Sequence, residues 1–151
     1  MAEITNTTYE EISIGDSATY TRTVTEEDIL AFARVSGDIN PLHTDPDYAA
    51  TTQFGERIAH GMLSGAFISA CLAMELLGPG TIYLGQTLNF RLPVKIGDTV
   101  TVTMEVVEKH ERRKRLTIDC TVRNHHDTLV VAGTSEERAP VEKCTVPLTK
   151  V

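Results

Sequence analysis

The residues with most chemical potential crowd into SGDINPLHTDPDYAA, Ser36 to Ala50, where Asp38, Asn40, His43, Asp45 and Asp47 surround Pro41 and Pro46. Proline disfavours helical geometry at the residue before it, so Asn40 and Asp45 are expected to be extended and the Asp38–His43 stretch to be a loop. A connecting turn uses Asp, Asn, Gly or Pro for its backbone, but it has no use for an imidazole. A carboxylate and a histidine fixed near each other can take a proton from one atom and return it to another. Asp38 and His43 are therefore the leading candidates for acid–base work.

A second cluster is AHGM, in which His60, Gly61 and Met62 open a long apolar run. If that run is a helix, its first amides have no intrahelical acceptor and sit at the positive end of the helix dipole. Gly61 has no side chain, so a carbonyl oxygen could approach its N–H closely, as in an oxyanion hole. Ser69 is a polar residue inside the otherwise apolar run and is a third candidate. Arg91 and Lys95 flank Pro93 further on.

Metal sites are weaker readings of the same residues. DINPLHTDPDYA contains no glycine and places Ala49 where a calcium loop needs its bidentate glutamate. Asp38, His43 and His60 could ligate zinc chemically, but their spacing matches no standard zinc pattern. No metal or cofactor is expected.

The elements that must hold these residues can be read from periodicity. Thr25 can cap a helix running to Val35, with Glu26, Glu27 and Asp28 at its positive end and Ile29, Phe32 and Ala33 at helical spacing. A short helical turn is expected near Asp47–Thr51. Met62 to Leu77 reads as a second helix with Glu75 as its single charge and Gly78 as its stop. It is apolar nearly all round, which implies burial. At about 24 Å it is too short to span a membrane.

The remainder alternates as strands. Val100, Val102, Met104 and Val106 interleave with threonine and glutamate, and Leu116, Ile118, Cys120 and Val122 do likewise. Thr81–Phe90, Thr99–Lys109, Arg115–Arg123 and Thr128–Glu137 are the predicted strands, joined in part by the hairpin connections HERRKR and NHHD. ISIGDSATYTRTV and KIGDTVTVTM repeat one turn-then-strand solution. An antiparallel sheet curled around one buried helix is a hot-dog arrangement, an α+β fold.

The bulk numbers agree with a single domain. A chain of 151 residues can bury roughly two-thirds of the surface its unfolded form exposes. Apolar residues make up 41% and charged residues 23%, as in ordinary globular proteins, and the net charge of −7 argues against a nucleic-acid partner. MAEITNTTYEE has neither the basic nor the apolar segment of a secretory signal, and LTKV is no retention or peroxisomal address. Cys71, Cys120 and Cys144 have no metal-like spacing and read as reduced thiols in a cytoplasmic protein.

Taken together, GDINPLH, HGML and YLGQTLNFRLPVKIGD resemble the MaoC-like R-specific enoyl-CoA hydratases of the hydratase 2 type. The resemblance runs from about Val24 to Ala139, within a single domain 1–151 whose core is about residues 9–139. It implies reversible syn addition of water to a trans-2-enoyl-CoA, giving the R-3-hydroxyacyl-CoA. The family's catalytic acid and histidine fall on Asp38 and His43, its oxyanion amide on Gly61 and its supporting serine on Ser69. Asn40, His60, Met62, Arg91 and Lys95 are the candidates for contacting substrate. The Arg112–Arg115 run could meet coenzyme A phosphates or simply be a solvated hairpin tip.

The acyl-CoA thioester is the expected substrate and a homodimer or larger homo-oligomer the expected state, with no nucleic-acid or membrane partner. Three rival readings remain. A 3-hydroxyacyl-ACP dehydratase would need a surface for an acidic carrier. A hot-dog thioesterase would leave the Asp-x-Asn-Pro-x-His loop unexplained. A non-catalytic partner subunit would be free to lose the Asp38/His43 pair.

Overall fold

The computed structural model describes residues 2–151. Strand β1 (Glu3–Thr5) is followed by β2 (Ser17–Thr23), then by helices α1 (Glu26–Ser36), α2 (Pro41–Thr44), α3 (Pro46–Ala50) and α4 (Gly61–Ala70). The last of these continues as a π-helical segment over Cys71–Leu76. Strands β3 (Ile82–Gln86), β4 (Asn89–Phe90), β5 (Thr99–His110), β6 (Arg115–Asn124), β7 (Leu129–Arg138) and β8 (Thr145–Pro147) complete the chain. The main sheet is antiparallel in the order β2-β5-β6-β7-β3, with β4 also pairing β7. This is the hot-dog architecture, with α4 lying against the concave face.

The alternating residues carry the core. Val100, Val102, Met104 and Val106 of β5 and Leu116, Ile118, Cys120 and Val122 of β6 are at most 1% exposed. They meet Leu63, Phe67, Ile68, Cys71 and Leu72 from α4 and its π-helical extension. The repeated turn-then-strand pattern folds the same way twice. Asp16 and Asp98 each accept the amide three residues earlier, from Ser13 at 2.8 Å and Lys95 at 2.9 Å. Gly15 and Gly97 between them have φ of 95° and 91°, which glycine tolerates without strain. The strands that follow, β2 and β5, are hydrogen-bonded to each other.

Three expectations need adjustment. The predicted strand Thr81–Phe90 is broken into β3 and β4, because the chain crosses β7 at Gly133 so closely that a Cβ there would lie 1.8 Å from the Thr87 carbonyl oxygen. The Asp38–His43 segment is not wholly a loop. Pro41 starts a single helical turn that includes His43, the N1 position where proline's missing N–H costs nothing. Asn40 and Asp45 are extended as expected, with ψ of 128° and 107°, and each caps the short helix after it.

The α4 helix, finally, is not enclosed on all sides. Leu63, Ser64, Phe67 and Ile68 are buried, whereas Met62 is 57% exposed and Ser69 faces outward. A single sheet can cover only one side of a helix. No described helix is long and apolar enough to cross a membrane.

Candidate active site

The site is assembled where α1 ends, α2 turns and α4 begins. Thr25 caps α1 in a reciprocal box with Asp28, and Gly37 at φ 82° ends the helix. Ser36 then donates to the Phe32 carbonyl at 2.6 Å and accepts from the Asp38 amide at 3.1 Å, which turns the chain sharply. The Asp38 carboxylate accepts from the Asn40 amide at 3.2 Å and remains half exposed. From the other direction, Ile58 bridges to Lys95, and the Ala59 amide donates to the Val94 carbonyl at 2.7 Å. This pins the approach to α4 against the strand-side segment.

Two histidines meet across these elements. His43 bonds through Nδ1 to the Ile58 carbonyl at 2.7 Å. A carbonyl can only accept, so the neutral ring carries its proton on Nδ1 and presents a bare Nε2. That nitrogen lies 3.9 Å from the Asp38 carboxylate. The gap is too long for a direct hydrogen bond and suits a bridging water. His60, 4% exposed, bonds through Nε2 to the Asp38 backbone carbonyl at 2.9 Å and stacks on His43 with ring centres 3.9 Å apart.

Gly61 opens α4 beside a cavity of roughly 290 Å³ that His60, Ser64, Phe54 and Phe90 also line. A Cβ on Gly61 would lie 2.9 Å from Phe90, so the ring occupies the space that any larger residue would need. The amide itself belongs to the first turn, where N–H groups have no intrahelical partner.

The other sequence candidates divide. Arg91 lines this cavity. Lys95 does not; its ammonium pairs with Glu56 at 3.3 Å. Met62 is exposed outside the cavity lining, and the Asn40 side chain is used as a cap, accepting from the Leu42 amide at 3.0 Å. Ser69 does not join Asp38 and His43 in this chain. It lines a second cavity with Leu72, Ala73 and Tyr83, about 140° round the helix from Ser64.

Ser64, buried and lining the first cavity, is a polar residue that sequence reasoning did not single out. Its spacing of four from His60 was the available signal. The Ile58 carbonyl had no signal at all, since any residue type supplies it. Cys71 is packed in the core. Burial pushes its thiol up to about 12, far from the thiolate a nucleophile requires.

The chain matches the family described as MaoC like domain over residues 12–129. It therefore belongs to the MaoC-like family. This MaoC-like chain is 51% identical over 116 residues to an (R)-specific enoyl-CoA hydratase of Rhodospirillum rubrum, covering 76% of this chain and 81% of that protein. It is 39% identical over 140 residues to a 3-hydroxybutyryl-CoA dehydratase of Methylorubrum extorquens, covering 93% and 88%. Among solved structures it is similar to the unliganded R-hydratase PhaJ1 of Pseudomonas aeruginosa, with a TM-score of 0.95, 51% identity, and 99% and 96% coverage.

Asp38, His43 and His60 form the single group in this MaoC-like chain, among the described residues, whose ligand atoms are close enough for a metal. Each histidine already spends one ring nitrogen on a backbone carbonyl. For His60 the nitrogen so spent is the one that faces the Asp38 carboxylate. That leaves His43 Nε2 and the carboxylate, one fewer than the three protein ligands of a catalytic zinc. The same two acceptors suit a water molecule, which has two hydrogens to donate.

Proposed function

We propose that this protein is an R-specific enoyl-CoA hydratase, adding water reversibly to a trans-2-enoyl-CoA. The observation that carries the reading is the pair of acceptors, His43 Nε2 and the Asp38 carboxylate, held 3.9 Å apart beside the first turn of α4. Water is a weak nucleophile until a base removes a proton. A conjugated thioester accepts hydroxide at C3 only as its carbonyl oxygen gains charge. The Asp38 carboxylate serves as principal base: it takes one proton as the water oxygen bonds to C3, and that proton passes through His43 Nε2 to C2. The water's other hydrogen, first hydrogen-bonded to Nε2, stays on the new hydroxyl.

The Gly61 amide, at the positive end of α4, stabilises the enolate oxygen. Hydroxyl and proton both come from the one water on one face, so the addition is syn. Nothing is consumed except water, and the enzyme returns to its starting charge. The experiment is hydration of crotonyl-CoA by purified protein without added metal, followed as loss of enoyl absorbance, with the chirality of the product determined. R-3-hydroxybutyryl-CoA is expected. Release of free coenzyme A with the double bond intact would place the protein among thioesterases instead.

The same reading includes a homodimer. The outer edge of β3 is unpaired, and Ile82, Leu84, Phe90 and Leu92 beside it are each 44–52% exposed. With Met62 exposed on α4 and Met74 exposed on its π-helical extension, they make an apolar face around an open strand edge. Such an edge is normally paired or covered, and a second copy would satisfy both strand and helix. Light scattering at micromolar concentration is expected to give twice the 16.6 kDa chain mass or more. A fully active monomer would contradict it.

A further inference from the structure

His60 does more than line the cavity. Its Nε2–H donates to the Asp38 backbone carbonyl at 2.9 Å. One face of its ring stacks on His43, with centres 3.9 Å apart and planes within 26°. Phe32 of α1 closes on the ring from 4.9 Å. In the chain it directly precedes Gly61, as the N-cap residue of α4, yet its side chain makes no cap bond to that helix. One imidazole thus touches the base loop, the partner histidine and the helix start that supplies the oxyanion amide.

We infer that His60 is a positioning residue that fixes Asp38, His43 and the Gly61 amide relative to one another. The inference rests on the proposed roles of those three residues. The three groups come from separate stretches of chain, and the bond and the stack of His60 join them across the site. The bond to Asp38 sets where its loop sits, and the stack restricts the plane in which His43 can turn its Nε2. Misplacing reacting groups by about an ångström can cost 10²-fold in rate.

The unused ring nitrogen agrees with this role. His60 Nδ1 is buried and has no hydrogen-bond partner in the protein. With the Nε2 proton committed to a carbonyl, the neutral ring leaves Nδ1 as a bare acceptor. A side chain retained only to fill space there would carry no such orphaned polar atom, because an apolar ring would fill it without desolvation cost. Asp38, with its carboxylate 4.0 Å from Nε2, and His43 are the titratable groups that face the ring. Phe32 supplies an uncharged neighbour.

The test is a set of variants assayed with crotonyl-CoA. His60→Phe keeps a flat ring for the stack and removes the donor, whereas His60→Gln keeps a donor near the Nε2 position and removes the stack. Each is expected to lower kcat by about 10–10²-fold with KM little changed. In a His43→Gln background, His60→Gln should cost far less than it does alone, because the geometry it holds then has no partner to serve. Unchanged kcat in His60→Phe and His60→Gln would overturn the inference. So would a raised KM with normal kcat, or fully additive losses in the double variant. If Asp38→Asn and His43→Gln themselves turn over normally, the proposed mechanism fails first. Inactive Asp38 and His43 variants beside normal His60 variants would defeat the positioning role alone. Circular dichroism and Tm identify a variant that is merely unfolded, and His60→Gln is the more conservative of the two.

Discussion

The two ends of the central helix make an instructive contrast. At its start, a cavity of roughly 290 Å³ gathers His60, Gly61 and Ser64 beside Asp38 and His43. At its end, where the helix widens into a π turn, a larger cavity of roughly 450 Å³ is lined by Ser69, Leu72, Ala73 and Tyr83 and walled by Ile4, Val146 and Leu148 from β1, β8 and the residue after β8. The larger space has the poorer chemistry. Its Tyr83 hydroxyl is tied to Gln86, and its lining carries no histidine or carboxylate side chain. Convergence of polar groups, and not volume, separates a reacting site from a space for an apolar group.

Breaking the chemical end should have the largest effect. Asp38→Asn removes the proposed base without changing shape, and kcat should fall by about 10²–10⁴-fold with KM little moved. Steady-state kinetics on crotonyl-CoA read this directly. Gly61→Ala should follow, because its Cβ would meet Phe90 at 2.9 Å and either the ring or the amide must shift. A loss of about 10–10²-fold in kcat is expected, and a crystal structure of the variant should place the displacement at Phe90 or the first turn.

The two serines sharpen the contrast. Ser64→Ala should cost about 3–10-fold in kcat, the worth of one hydrogen bond in the cavity. Ser69→Ala should change kcat by less than about 2-fold for a short-chain substrate, since it sits at the other end. Equal losses at both positions would mean that the two ends work as one site.

The smallest effect is on stability and belongs to the apolar end. Glu137, opposite Tyr83 across the β3–β7 pairing, is fully buried, and neither carboxyl oxygen has a partner. Burial raises its pKa to about 7, against 4.5 for the exposed group. A raised carboxyl leaves the folded state whole below about 4.5. It withdraws stability as pH climbs from there towards 7, because the unfolded chain ionises first. The loss is about 3 kcal/mol at most. Thermal melts from pH 5 to 8 should slope downward, and Glu137→Gln should flatten that slope.

Legibility in the sequence followed the same contrast. The Asp38/His43 pair and the strands were readable because proline punctuation and period-two alternation act locally. Asn40 and Asp45 took the extended backbone that their prolines impose, and β5 and β6 buried the alternating residues expected of them. What escaped was decided by packing. Ser64 and Ser69 are both polar residues in one apolar run, and only the placement of the helix on the sheet decides which enters the cavity. The Ile58 carbonyl that sets the His43 tautomer is a backbone atom with no sequence signature. The β3–β4 break at Gly133 depends on a strand crossing set by residues far away in the chain.

The central claim is that Asp38 and His43 hold one water between them, and a double-mutant cycle tests it most directly. Asp38→Asn, His43→Gln and the double variant are compared by kcat on crotonyl-CoA, with each fold confirmed by circular dichroism. Each single variant should lose about 10²–10⁴-fold, and the double should be scarcely slower than the poorer single, because groups acting as a unit are not additive. Losses that multiply in the double variant, or normal turnover in Asp38→Asn, would contradict the shared water.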